Sequence, residues 1–143
     1  MGDYCTLRFE AQVTLAGSLI VGRLVRGASW EGILASFPAF PIHPAWMRND
    51  RHNFVPHGGL KHVPDGWEDV GKNDLEGTTW KVQCSVKTTS TAELFCEHIL
   101  PYLIKEPCLV EYEHEYPYTG LLTRTVEPAI DPGMPFYGEE AEE

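Results

Sequence analysis

Cys5-Thr6-Leu7-Arg8-Phe9-Glu10-Ala11-Gln12-Val13-Thr14 decides the fold. Cys5, Leu7, Phe9, Ala11 and Val13 alternate strictly with Thr6, Arg8, Glu10, Gln12 and Thr14. Successive side chains of a strand leave on opposite faces, so this period of two marks a strand with one apolar and one polar face. A second such run is Thr79–Lys87, with Trp80, Val82, Cys84 and Val86 on one face. A third follows Pro107. Cys108, Val110, Tyr112, His114 and Tyr116 share one face, and Leu109, Glu111, Glu113 and Glu115 the other. Pro117-Tyr118-Thr119-Gly120 then makes a turn into a further strand, Leu121–Val126, the second arm of a hairpin.

Helices are expected between these strands. Leu19, Ile20 and Leu24, with Val21 and Val25, form a helical stripe that Gly17 and Gly22 weaken. Ser29 is placed to cap a short helix through Trp30, Glu31, Ile33 and Leu34, which stops before Pro38. Ser90 and Glu93 have the spacing of a capping box ahead of Leu94, Phe95, His98, Ile99, Tyr102 and Leu103. Pro101 should kink that helix or end its regular part. Five prolines and five glycines break up residues 38–77, where only Asn53-Phe54-Val55-Pro56 reads as a short strand. Trp46 and Trp67 imply that this stretch packs against the body.

The order is strand, helix, weak strand, strand, helix, strand and an added strand. The expected fold class is therefore α+β: a ferredoxin-like βαββαβ antiparallel sheet with an added C-terminal strand and a long Pro/Gly-rich insertion. Strand 108–116 should lie beside the first strand and 121–126 outside it. Residues 1–126 would form a single α+β domain and 127–143 an acidic extended tail. This fold serves many functions and implies none by itself.

The chain has 143 residues, and 43% of them are hydrophobic. That suits one folded domain and not a disordered chain. No apolar run approaches the roughly 20 residues of a membrane span. Met1-Gly2-Asp3-Tyr4-Cys5 lacks the basic start and apolar run of a secretory signal, so a cytoplasmic location is expected. Cys5, Cys84, Cys96 and Cys108 include no CxxC pair and read as buried small hydrophobes in a reducing compartment.

The charge is lopsided. Residues 1–105 carry ten basic and eleven acidic side chains, whereas residues 106–143 carry Arg124 and ten acidic ones. Direct nucleic-acid binding wants the opposite sign, because phosphate contacts need Lys and Arg. A basic protein surface is the better partner.

Asn53-Phe54-Val55-Pro56-His57-Gly58, Pro64-Asp65-Gly66-Trp67-Glu68-Asp69, Trp80-Lys81-Val82-Gln83-Cys84-Ser85-Val86-Lys87, Leu94-Phe95 and Ile99-Leu100-Pro101 form a recognisable series. In it a tryptophan-led strand ends in lysine and precedes a capped helix that closes near Leu-Pro. Over residues 50–105 the chain resembles a group of small phage-encoded proteins of unknown function. The resemblance implies a phage or prophage origin. By analogy of class, it also implies an inhibitor of a host enzyme or defence complex. It supplies no catalytic residue.

Catalytic and metal signals are sparse. His43, His52, His57 and His62 lie close together in the chain, near Asp50, Asp65, Glu68 and Asp69. Their spacings match no HxH or HExxH pattern, so no metal and no cofactor is assigned. They remain the candidates for an alternative reading as a metal-dependent enzyme. Ser85, Ser90 and Thr91 lack nucleophile-elbow glycines, and Gly58-Gly59 and Gly71-Lys72 lack a P-loop pattern. Enzymatic activity is therefore not the preferred reading.

The sharpest positive feature is the ladder Glu111, Glu113, Glu115. Alternate residues of a strand lie about 6.8 Å apart, so three carboxylates make a row of negative charge. A solvated outer sheet face competes with a docking row for a Lys/Arg groove, of which nucleic-acid mimicry is the strong form. Arg124, on the neighbouring strand, is placed to offset part of the repulsion. Tyr118, in the turn, suits an interface anchor. The expected function is non-catalytic binding of a basic protein surface through Glu111, Glu113, Glu115, Tyr118, Asp131 and the terminal Glu run. Pairing of the 121–126 edge between copies, as a self-associating module, is a third reading.

Overall fold

The structure, a computed structural model, describes residues 4–41, 60, 63–86, 89–114 and 120–129. Its elements run β1 (Cys5–Gln12), α1 (Leu15–Val25), α2 (Trp30–Ser36), β2 (Lys72–Glu76), β3 (Thr79–Val86), α3 (Thr89–His98), a 3-10 turn (Leu100–Tyr102), β4 (Cys108–His114) and β5 (Leu121–Val126). The five strands form one sheet in the order β2-β3-β1-β4-β5, and every neighbouring pair is antiparallel. The fold is α+β. The strand at 108–114 lies beside β1, and β5 lies outside it, where the sequence places them.

The alternation in β1 sorts the sheet into two faces. Cys5, Leu7, Phe9, Ala11 and Val13 are all buried, beside Trp80, Val82, Cys84 and Val86 of β3 and Cys108, Val110 and Tyr112 of β4. Helices α1 and α3 pack on this apolar face through Ile20, Val21, Leu24, Phe95 and Cys96, with Ile99 just beyond α3. Three aromatics form its centre. The Trp80 ring meets Phe9 edge-on at 5.2 Å and Phe95 at 6.1 Å. Phe9 and Phe95 stack at 6.0 Å.

Thr14 caps α1: its side chain accepts a hydrogen bond from the Gly17 amide at 2.8 Å. The buried stripe of this helix is Gly17, Ile20, Val21 and Leu24, so Leu19 faces solvent instead of joining the stripe. Ser29 caps α2 as expected, accepting from the Gly32 amide. Arg23 ties the two helices together, donating to Ser36 Oγ at 2.7 Å and lying over the Phe37 ring. Helix α3 ends at His98, and Pro101 sits in the 3-10 turn that follows. The side chain of Ser90 lies outside the described residues, as does the segment expected to form a strand at 53–56.

Strand β2 replaces irregular chain expected at the end of 38–77. Lys-Asn-Asp-Leu-Glu has no apolar alternation and little strand propensity, because β2 is an edge strand whose inward residues are only half-buried. A two-residue turn, Gly77-Thr78, joins it to β3. Gly77 there has φ +63°, a backbone state that glycine adopts without a Cβ penalty. The chain beyond β5 is tied down at its start, since the Ala129 amide donates to the Pro101 carbonyl at 2.8 Å.

Candidate functional site

The polar face of the sheet, opposite the helices, carries the features that set this chain apart. Cross-strand register brings Arg8 of β1 between Glu111 of β4 and Gln83 of β3, with Lys72 of β2 beyond. Arg8 Nε donates to Glu111 Oε1 at 2.7 Å, a charge-assisted bond. Its guanidinium carbon lies 4.1 Å from the centroid of the Trp67 ring, a cation–π contact. Arg8 is thus held from two sides.

Trp67 reaches this position because its own segment is fastened to the sheet. Gln83 is buried, and its side-chain amide donates to the carbonyls of Glu68 at 2.8 Å and Val70 at 3.0 Å. The Trp67 amide closes a turn on the Pro64 carbonyl, and Gly66 supplies the positive φ of +88° that the turn needs. Between this segment and the sheet lies an open cleft of about 400 Å³, with Arg8, Glu10, Glu68, Lys72, Lys81 and Leu109 among its walls.

The same face changes character along its length. At one end Thr6 and Ser85 are buried and share a hydroxyl hydrogen bond of 2.9 Å, and Glu113, opposite Thr6, is only 5% exposed. At the other end Glu10 is exposed and Lys81 half-buried.

The expected acidic row is therefore partly committed to the fold. Glu111 and Glu113 do share one face, but Glu111 is paired with Arg8 and Glu113 is buried. Glu115, Tyr118 and Asp131 lie outside the described residues. Arg124 does not serve the row. It projects to the helical side, where Nη1 lies 3.5 Å from Glu97 Oε2 of α3. The counter-ion is Arg8 instead. The polar face of β1 already held this cation, and β4 was expected beside it, so the pairing was open to sequence reasoning.

The chain as compared with known proteins stands by itself. No family model, no curated protein and no solved structure matches it.

Among the described residues the cysteines are not set up as nucleophiles. None of the four cysteines is in a disulfide, and all are buried. Burial pushes the thiols of Cys5 and Cys96 up to about 12 and that of Cys108 up to about 11, from an ordinary value of 9.0. The thiolate is the nucleophile, and at neutral pH these groups hold their protons. Among the described residues no cluster of His, Cys, Asp and Glu is arranged to hold a metal. His43, His52, His57 and His62 all lie outside the described residues. No helix among the described residues is long and apolar enough to cross a membrane.

The thiols give a stability prediction with a definite sign. The folded state holds these protons more tightly than the unfolded state does. Their contribution is intact below about pH 9 and is lost as pH rises from there towards about 12. Melting temperature should fall through that window, and a thiol reagent at pH 8 should label none of the four cysteines until urea is added. Rapid labelling of the native chain would contradict this.

Proposed function

We propose that the chain is a non-catalytic binding protein that docks on a basic protein surface. The observation that carries the reading is the charge excess of residues 106–143, ten acidic side chains against Arg124, of which Glu111 is paired with Arg8. Arg124 is itself turned towards Glu97 on the far side of the sheet, so it leaves that charge unbalanced. With Glu111 paired and Glu113 buried, the contact falls to Glu115, Asp131 and the terminal Glu run, with Tyr118 as an anchor. Glu111 and Glu113 root the row in the sheet. The acids occupy a Lys/Arg groove and exclude its usual ligand, as a nucleic-acid mimic does. From the resemblance of residues 50–105 to phage-encoded proteins, we take the partner to be a host nucleic-acid-handling or defence complex, met in the cytoplasm.

We also read the sheet as a ferredoxin-like core with β5 added. Two features support this: β1 lies between β3 and β4, and the α1 and α3 crossovers pack on one face.

The test is capture from a bacterial lysate on the immobilised full chain, at low and at high salt. A basic nucleic-acid-handling protein retained at low salt and released at high salt is the expected result. Retention of copies of the chain alone would overturn the reading in favour of pairing between β5 edges.

A further inference from the structure

We propose that the cleft over the polar sheet face is a binding site for a small zwitterion, a molecule bearing both an ammonium and a carboxylate, of the size of a dipeptide. This inference is independent of the docking surface above. It rests on charges of both signs that the fold brings to one cleft, four of which make no ion pair among the described residues.

Among the described residues, Lys72 and Lys81 make no ion pair or side-chain hydrogen bond, and neither do Glu10 and Glu68. All four line the cleft. Arg8 lines it too, and among the described residues its hydrogen bond is made through Nε, which leaves both terminal nitrogens as donors. A purely anionic ligand drawn by the lysines would face Glu10 and Glu68. A purely cationic one drawn by the carboxylates would face Lys72, Lys81 and Arg8. A zwitterion satisfies both sets.

Register orients it. Arg8 and Lys72 flank Gln83 in one cross-strand row, and Glu10 stands in the next row beside Lys81. The ligand carboxylate therefore belongs with Arg8 and Lys72, and the ammonium with Glu10. Leu109 lies one step beyond the Phe9–Val110 pair, alongside Glu10, and is 55% exposed. It offers an apolar wall to the side chain of the residue that bears the ammonium. The Trp67 stack and the Glu111 bond hold Arg8 before any ligand arrives, which lowers the ordering cost of binding. The cleft volume, about 400 Å³, falls among those of small-molecule sites.

Leucyl-glycine is the probe. The full chain, labelled with nitrogen-15, is titrated while the Arg8 Nε and Trp67 indole resonances are followed by NMR. Saturable shifts at both are expected. N-acetyl-leucyl-glycine lacks the ammonium and leucyl-glycinamide lacks the carboxylate, and each should bind about tenfold more weakly. Glu10→Gln, an exposed change, should bring leucyl-glycine down to the affinity of its acetylated form while leaving the melting temperature unchanged. Two outcomes overturn the proposal. One is an absence of saturation up to about 10 mM. The other is equal affinity for all three probes, which would mean that neither charge is recognised and would mark an adventitious additive only.

Discussion

Trp80→Ala is expected to lower stability by about 3–5 kcal/mol, read as a fall in the urea midpoint at unchanged slope. Trp80 is fully buried at the centre of the apolar face, between Ala11 of β1 and Leu75 of β2. Truncation removes the edge contacts with Phe9 and Phe95 and opens a cavity that two rigid strands cannot close. It also takes the indole donor from Asn73 Oδ1, now 2.8 Å away, and that bond helps pin edge strand β2. A domain of this size has about 5–15 kcal/mol in total, so the variant should be close to unfolding. Trp80→Phe keeps an aromatic ring against Phe9 and Phe95 and should recover most of the loss. An alanine variant as stable as the natural chain would mean that the aromatic centre is not where the stability lies.

Gly17→Ala and Gly22→Ala should have opposite signs although both lie in α1. In an ordinary helix interior, alanine is favoured over glycine by about 1 kcal/mol. At Gly22 a Cβ would meet only Arg26 Nη1 at 3.7 Å and Leu75 Cδ2 at 3.9 Å, so the substitution should stabilise. At Gly17 a Cβ would lie 2.5 Å from the Leu103 carbonyl oxygen. That oxygen cannot retreat freely, because it accepts the Thr14 amide at 2.8 Å. Thr14 in turn caps the helix, so one added methyl disturbs the cap, the bridge from Val13 to Ile104 and the start of α1 together. The expected cost is about 1–3 kcal/mol, an overpacking penalty that exceeds the helical gain. Thermal melts of the two variants check the difference, and a stabilised Gly17→Ala would show that α1 does not approach Leu103 so closely.

The parts legible in the sequence are those where one residue's neighbours share its physics. Alternation revealed β1, β3 and β4 because each turns an apolar face to the core, and the Pro-Tyr-Thr-Gly turn signal ahead of it revealed β5. Ser29 was legible as a cap because it stands just ahead of an apolar helical run. Thr14 does the same work but also completes the alternation of β1, which hides it. Strand β2 escapes because an edge strand with half-buried residues has no pattern to show, although the Glu-Gly-Thr turn before Trp80 signals a hairpin. In α1, the stripe includes Gly17 and omits Leu19, since close approach to Leu103 selects glycine for its lack of a side chain. The cleft was not legible at all. It depends on Gln83 reaching the carbonyls of Glu68 and Val70 and on Trp67 meeting Arg8, and neither contact leaves a local pattern. The charge asymmetry was fully legible. Its geometry was legible only in part: the alternation of β1 placed Arg8 on the polar face, whereas Arg124 could be assigned to the helical side only with the β4–β5 register known.

The central claim is that the acids of the C-terminal quarter carry docking on a basic surface. The most direct measurement is the affinity for the captured partner as a function of salt. It compares the natural chain with a variant neutralised at Glu115, Asp131, Glu139, Glu140, Glu142 and Glu143. The account predicts that log affinity falls steeply with log salt for the natural chain. The variant should bind more weakly at low salt and show a much shallower slope. Equal affinities and equal slopes for the two chains would contradict it.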